Sequence, residues 1–137
     1  MVDQKFIQAA VEAHDRAYAP YSNYPVGAAL KDEHGHIFSG GNVENASLPE
    51  GVCAETSAIS ALINGGGRKI LEIVISRAGE KIGMPCGGCR QRLREFAEPG
   101  CPVHICDEKG NYRKTMTLGE LLPASFGPEH IFGNKNE

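Results

Sequence analysis

The sequence has little of several features that would indicate other classes of protein. It contains no tryptophan, and aromatic residues make up 7% of it. Its 14 Lys and Arg residues are outnumbered by 17 Asp and Glu residues, so the formal net charge is -3 at pH 7. The chain therefore lacks the basic surface by which proteins bind nucleic acid, and we expect no nucleic-acid partner.

Long apolar runs are also missing. No stretch approaches the roughly 20 apolar residues that span a bilayer. The first five residues do not show the charged and then apolar segments of a signal peptide. We therefore expect a cytoplasmic protein without membrane contact. With 137 residues, of which 41% are hydrophobic, the chain is predicted to form one domain over 1–137 with its own core.

Five cysteines are present, at positions 53, 86, 89, 101 and 106. An odd number without a secretory signal predicts reduced thiols rather than a disulfide framework. Cys53 lies two residues before Glu55, and Cys86 and Cys89 lie in a Pro-Cys-Gly-Gly-Cys segment. Three thiolates leave the fourth position of a zinc ion free for water, as in catalytic sites. Glu55 is then a carboxylate that can move protons beside the metal.

The pattern of apolar residues predicts four helices and five strands. The helices are expected from Asp3 to about residue 18, from near Cys53 to the glycines at 65–67, from Cys86 to an end no later than Pro99, and at 117–120. The strands are expected at 26–30, 36–39, 70–76, 103–106 and 111–116. A hairpin followed by strands alternating with helices indicates an α/β fold, a three-layer α/β/α sandwich with a mixed five-stranded sheet.

Cys53 and Cys86 are both predicted at helix starts, where the helix dipole and free N–H groups favour a thiolate. Cys89 is one helical turn after Cys86, so both sulfurs can face one point. A zinc ion bound by three thiolates carries a net negative charge, which opposes the deprotonation of its water. The two helix dipoles offset part of that charge.

Other interpretations of the cysteines stay open at this point. Cys86 and Cys89 alone fit a redox pair, and together with Cys101 and Cys106 they fit a four-cysteine structural zinc site. However, Cys106 falls within a predicted strand and Cys101 at its start, where small packed residues are expected. His14 and His104 fall on apolar faces, where we expect core histidines rather than ligands.

Several segments resemble the short-chain cytidine deaminases, which are zinc-dependent nucleobase deaminases. Besides Cys-Ala-Glu at 53–55, they are the segments 18–22, 26–29, 42–45, 85–91, 121–123 and 126–128. The resemblance implies hydrolytic deamination of cytidine and 2'-deoxycytidine in pyrimidine salvage. It also implies one zinc ion per subunit on Cys53, Cys86 and Cys89, with Glu55 as the catalytic residue.

The resemblance further implies how the substrate is bound and transformed. Zinc activates water for attack at C4 of cytosine, while Glu55 protonates N3 and carries a proton to the departing amino group. Substrate contacts are implied for the side chains of Asn42, Glu44 and Tyr24, the backbone N–H of Ala54, the carbonyl of Met84, and Phe126 of a neighbouring subunit. Proteins of this kind are homotetramers with shared active sites, so we expect the same assembly here.

Two positions depart from the family pattern. Thr56 stands where many members carry an arginine that hydrogen-bonds the ligand thiolates, so another group must compensate their charge. Leu48 stands where some members carry tyrosine, which leaves the contacts between subunits open. One alternative substrate is another aminopyrimidine nucleoside such as blasticidin S, although the intact segment 42–45 favours an ordinary nucleoside. A non-catalytic zinc-stabilised binding module is a further alternative, but it leaves Glu55 unexplained.

Overall fold

The computed structural model describes residues 2–133. Its elements follow in the order α1 (Gln4–Arg16), β1 (Val26–Asp32), β2 (Ile37–Gly41), α2 (Ala54–Asn64), β3 (Ile70–Arg77), α3 (Gly87–Arg94), β4 (Pro102–Cys106), β5 (Tyr112–Thr117), α4 (Leu118–Leu121) and α5 (Glu129–Phe132). A short 3₁₀ helix, Leu48–Glu50, precedes α2. Among the described residues, none of the helices has the length and apolarity needed to cross a membrane.

Local sequence signals explain where the first and fourth helices begin. The Asp3 carboxylate accepts a hydrogen bond from the backbone N–H of Lys5 at 3.2 Å, which caps α1. At the start of α4, the side chains of Thr117 and Glu120 form a reciprocal capping box. Such caps satisfy backbone N–H groups that have no partner within the helix.

The five strands form one sheet in the order β2-β1-β3-β4-β5. β1 is antiparallel to both β2 and β3, β3 is parallel to β4, and β4 is antiparallel to β5. The connection between the two parallel strands contains α3, as expected because parallel neighbours need a crossover. The predicted mixed five-stranded sheet is therefore confirmed.

Each face of the sheet is covered by helices. On one face, Val74 of β3 packs with Phe6 and Ala10 of α1. On the other face, Ile73 and Ile75 of the same strand pack in the cluster that contains residues of α2 and α3. β3 is thus buried on both sides, which is why it reads as a continuous apolar run. This arrangement confirms the three-layer α/β/α sandwich.

The contact between α1 and β2 is close enough to exclude a side chain. A Cβ atom on Gly41 would lie 2.6 Å from the carbonyl oxygen of Ala13 and 3.0 Å from Cα of Ala17. Just beyond this contact, the N–H of Tyr18 donates to the carbonyl of Asn42, and the N–H of Glu44 donates to the carbonyl of Tyr18, both at 2.9 Å. The end of α1 therefore holds the segment that follows β2.

Some element boundaries differ from the predicted ones. The third helix ends at Arg94, within the predicted limit of Pro99, whereas the sequence pattern predicts neither α5 nor the 3₁₀ helix. His14 is buried as expected. Among residues 2–133, His104 joins no group of potential metal ligands, as expected, and both of its ring nitrogens have partners, Glu72 at 2.6 Å and Thr115 at 2.7 Å. Its side chain is 12% exposed and belongs to neither hydrophobic cluster, so it lies at the edge of the core rather than within it.

Candidate metal centre and active site

Three cysteine sulfurs meet where two helices begin. Cys53 is the residue before α2 and Cys86 the residue before α3, and both have extended backbone conformations. Cys89 lies in the first turn of α3. The three sulfur atoms all lie within 4.8 Å of one another, and those of Cys86 and Cys89 are 3.3 Å apart. The predicted placement of two cysteines at helix starts is confirmed.

The electrostatic environment of the three thiols differs from one to the next. The backbone N–H of Cys89 lowers the pKa of the Cys86 thiol. Burial raises the pKa of the Cys53 thiol. Burial and the nearby Glu55 carboxylate raise the pKa of the Cys89 thiol. Three neighbouring thiolates therefore need a cation to coexist, and coordination to a metal ion deprotonates a thiol outright.

This donor set fits a catalytic zinc ion. Zinc in proteins takes four ligands in a tetrahedron, and thiolate sulfur is one of its preferred donors. Cys53, Cys86 and Cys89 supply three such donors from two helix starts. The fourth position is left for water or substrate, which distinguishes this arrangement from a closed structural site.

The two remaining cysteines belong to the core. Within residues 2–133, Cys53, Cys86 and Cys89 are the one group of three potential ligands that comes together. Cys101 and Cys106 are 5% and 1% exposed and belong to different hydrophobic clusters. Burial raises the pKa of the Cys101 thiol to about 12 and that of the Cys106 thiol to about 11. The alternative four-cysteine zinc site is therefore wrong.

Glu55 lies in the first turn of α2 beside the sulfurs and is only 5% exposed. Burial raises the pKa of its carboxyl group, while its own backbone N–H and the positive charges of Arg77 and Arg92 oppose that rise. A carboxyl group with these opposing influences can hold and release a proton near the metal position.

Asn42 and Glu44 lie just beyond β2, which ends at Gly41. The Asn42 side chain accepts from the N–H of Val26 at 2.9 Å and donates to the carbonyl of Tyr24 at 3.1 Å. The Glu44 carboxylate accepts from the N–H groups of Tyr21 and Ser22 at 3.0 and 3.1 Å, and from the Ser22 hydroxyl. Between them, Val43 forms isolated β-bridges with Tyr18 and Val52.

A small cavity lies next to this segment. Its volume is about 380 Å³, and it is lined by Tyr21, Ser22, Glu44, Asn45, Leu48 and Gly51. The hydrogen bonds of Ser22 lower the pKa of the Glu44 carboxyl group. An ionised acceptor therefore lies at the wall of a concave surface.

The other predicted contact residues have different environments. The Tyr24 hydroxyl donates to the carbonyl of Ala78 at 3.0 Å and accepts from Nε of Arg77 at 2.7 Å. Ala54 is buried at the start of α2. Phe126 is 56% exposed and stacks on His130 with ring centroids 5.2 Å apart. Phe126 is thus no core residue of this chain, and its ring is available to a neighbour.

Sequence reasoning missed Arg77. It ends the buried strand β3, and its side chain reaches Tyr24 and the carbonyl of Met84. The available signal was a charged residue at the end of an apolar strand. Arg90, one of the arginines near the ligands in sequence, instead donates to the carbonyls of Pro85 and Leu121, both at 2.7 Å.

Known proteins resemble this chain over most of its length. The family model described as the cytidine and deoxycytidylate deaminase zinc-binding region matches residues 1–104. A cytidine deaminase from Sporosarcina psychrophila is 37% identical over 128 residues, which cover 93% of this chain and 93% of the relative. A cytidine deaminase from Mycobacterium tuberculosis strain H37Rv is 38% identical over 122 residues, covering 89% and 87%.

Solved structures resemble the fold as well as the sequence. The crystal structure of a cytidine deaminase from Burkholderia pseudomallei has a TM-score of 0.83 and 38% sequence identity. The match covers 92% of this chain and 100% of that chain.

Proposed function

Because the chain belongs to the cytidine and deoxycytidylate deaminase family with its zinc-binding region, we propose that it hydrolyses cytidine and 2'-deoxycytidine to uridine and 2'-deoxyuridine, releasing ammonia. One observation carries this proposal: three cysteine sulfurs lie within 4.8 Å of one another beside the buried Glu55. This is a metal site with an open position and a proton carrier, which are the two parts that hydrolytic deamination needs.

Glu55 is the proton carrier of this reaction. When bound by Cys53, Cys86 and Cys89, one zinc ion per subunit supplies the Lewis acidity that activates water at neutral pH. Glu55 would accept one proton from the attacking water and pass it to N3 of the cytosine ring. It would then take the remaining proton of the hydroxyl group at C4 and pass it to the amino group, which leaves as ammonia. Because Glu55 is buried, it has little contact with bulk solvent, which favours proton transfer within the site.

Asn42 and Glu44 bind the ribose. An amide oxygen has two lone pairs and an amide nitrogen two hydrogens, and each end of the Asn42 side chain makes one hydrogen bond within the chain. A carboxylate has about four acceptor positions, of which Glu44 uses three. Both side chains thus keep capacity for ribose hydroxyl groups while their orientation is already fixed.

Ala54 and Tyr24 bind the base. The backbone N–H of Ala54 lies at the start of α2, where helical N–H groups have no partner within the helix. It donates to the base carbonyl oxygen. The Tyr24 ring, held through its hydroxyl group, forms an apolar wall. The carbonyl of Met84 accepts from the leaving amino group.

The proposal also covers the cellular setting and the assembly of the protein. We propose one domain over 1–137 that works in cytoplasmic pyrimidine salvage as a homotetramer, with Phe126 closing the active site of a neighbouring subunit. Exposed apolar side chains support the assembly: Phe126 is 56% exposed, Leu48 73% and Phe132 71%. Lone exposed apolar residues are ordinary, but several large ones suit an interface.

Light scattering after size-exclusion chromatography tests the assembly, with Phe126→Ala as the variant. Leu71→Ala is the control, because Leu71 is also exposed, at 52%, but lies within β3. We expect a tetramer in the wild type and reduced activity only for Phe126→Ala. A stable monomer with full activity would contradict the role of Phe126.

Ultraviolet absorbance tests the reaction, because deamination of cytosine changes the absorption of the base. Purified protein is incubated with cytidine, 2'-deoxycytidine and blasticidin S, with zinc bound, after removal by a chelator, and after zinc is restored. We expect zinc-dependent turnover of the first two substrates. Turnover of blasticidin S alone would favour the alternative substrate class, and a zinc-loaded protein inert toward all three would indicate a binding module.

A further inference from the structure

Arg77 joins two walls of the proposed base-binding region. Its Nε donates to the Tyr24 hydroxyl at 2.7 Å, and its Nη1 donates to the carbonyl of Met84 at 3.2 Å. The centre of the guanidinium group lies 5.0 Å from the centroid of the Tyr24 ring. Because a guanidinium group is a rigid planar fork, it fixes the two partners relative to each other.

The backbone next to Met84 makes room for this side chain. A Cβ atom on Gly83 would lie 2.4 Å from Cζ of Arg77 and 2.7 Å from its Nε and Nη1. The guanidinium group thus occupies space that any side chain at position 83 would fill. The same loop is also held by Arg113, which donates to the carbonyls of Gly79 and Glu80.

The charge of Arg77 acts on the metal-binding end of the site. Arg92 lies one turn after the ligand Cys89 on α3. The Arg77 guanidinium donates to the carbonyl of Met84, two residues before the ligand Cys86, and its charge also opposes the rise in the pKa of the buried Glu55 carboxyl group. Position 56, one residue further along α2, is a threonine without charge, and its hydroxyl oxygen is buried with no hydrogen-bond partner among residues 2–133. Arg92 is exposed, so solvent screens its charge more strongly.

We propose that Arg77 is a positioning residue of the deamination site, which fixes Tyr24 and the Met84 carbonyl and supplies the positive charge that Thr56 does not. This inference rests on the proposed function. Loading zinc onto three thiols releases three protons and brings in two positive charges, so the site becomes more negative by one. A cation next to the site therefore favours loading.

Three variants separate the geometric and the electrostatic contributions. Arg77→Gln removes the charge and the fork, Arg77→Lys keeps the charge, and Arg92→Gln removes the exposed charge as a control. We expect kcat/KM for cytidine to fall roughly 30- to 100-fold in both Arg77 variants, because small misplacements cost that much. Arg92→Gln should stay within about threefold of the wild type, because solvent screens exposed charges.

Zinc affinity, measured by competition with a chromogenic chelator, is the readout independent of turnover. We expect Arg77→Gln to bind zinc about three- to tenfold more weakly, because a nearby positive charge is lost. Arg77→Lys should bind zinc as the wild type does. Adding Thr56→Arg to Arg77→Gln should restore zinc affinity without restoring kcat/KM.

Gly83→Ala tests the same inference without altering Arg77. The added methyl group displaces the guanidinium group, which is the mobile end of a side chain. We expect a loss of kcat/KM close to that of Arg77→Gln. The double variant should be little worse than either single variant, because residues in contact are not additive.

Each outcome decides one part of the inference. Wild-type kcat/KM in Arg77→Gln, or losses that multiply in the double variant with Gly83→Ala, would overturn the positioning role. Wild-type zinc affinity in Arg77→Gln would overturn the charge role. Failure of the proposed function is a separate result, since the zinc-loaded wild type would then not deaminate cytidine while the chelator competition still reports on Arg77.

Discussion

Gly41→Ala perturbs the contact through which the first helix holds residues 42–44, the segment proposed to bind the ribose. The methyl group would lie 2.6 Å from the Ala13 carbonyl and 3.0 Å from Cα and Cβ of Ala17. The closest of these atoms, the carbonyl oxygen of Ala13, belongs to the backbone of the last turn of α1, so a change of rotamer cannot relieve the clash. The end of the helix must move away from β2 by roughly 1 Å to restore ordinary contact distances.

The size of the effect follows from the kind of clash. Overpacking a well-packed core typically costs about 1–3 kcal/mol in the free energy of unfolding. Because backbone atoms are involved, we expect the upper end, about 3 kcal/mol. With a urea dependence of about 2 kcal/mol per molar for a small protein, the unfolding midpoint should fall by about 1.5 M.

The same displacement should reach the proposed ribose site. The backbone of Tyr18, two residues beyond α1, bonds to the backbones of Asn42 and Glu44 at 2.9 Å. If the helix end moves, the two side chains lose their orientation, so we expect KM for cytidine to rise about tenfold. kcat should change less, because the metal ligands lie at the starts of α2 and α3.

Urea unfolding of zinc-loaded protein at one fixed concentration measures the stability change. Gly100→Ala is the matched control, because a Cβ atom there meets nothing within 4 Å. Its free energy of unfolding should stay within about 0.5 kcal/mol of the wild type. A Gly41→Ala variant that unfolds at the wild-type midpoint with an unchanged KM would refute this reasoning.

Two further predictions concern the metal and the ribose sites. Cys89→Ser should lower the zinc content measured by atomic absorption to a small fraction of the wild-type value, whereas Cys106→Ser, also a buried cysteine, should keep the metal. Zinc retained by Cys89→Ser would contradict the ligand assignment. Hydrogen bonds from Ser22 lower the pKa of Glu44, so the carboxylate stays ionised to lower pH. Ser22→Ala should raise the pKa of Glu44. As the solution is acidified, KM for cytidine should therefore begin to increase at a higher pH in the variant than in the wild type. Identical KM–pH profiles would contradict the role of Glu44 in ribose binding.

The fold was predictable because its signals are local. Asp3 and Thr117 mark helix starts through capping, and β3 is apolar on both faces because helices cover both sides of it. For the end of α3 the sequence predicts only an upper limit, Pro99, since residues 95–98 contain neither a strong stop nor a break in the apolar pattern. The short α5 has no buried residue, so it carries no apolar period to detect.

The metal site was predictable and its surroundings were not. Cys53 and the Cys86–Cys89 pair have a spacing and helix-start positions that follow from the sequence alone. The proposed role of Arg77 depends on its contacts with Tyr24, 53 positions earlier in the chain, and with Met84, 7 positions later. These contacts are set by the packing of the loop after β3. No local pattern encodes such contacts. The sequence therefore shows that Thr56 brings no positive charge to the thiolates, but not which residue supplies that charge instead.

Glu55→Gln tests the central claim most directly, because it removes the proposed proton carrier and leaves the shape of the buried side chain almost unchanged. Glu50→Gln is the control, since Glu50 is exposed in the 3₁₀ helix. Zinc content and the rate of cytidine deamination are measured on the same samples. We predict about one zinc ion per chain in all three proteins and a kcat at least about 10³-fold lower in Glu55→Gln alone. A zinc-loaded Glu55→Gln variant with a near-normal rate would contradict the account.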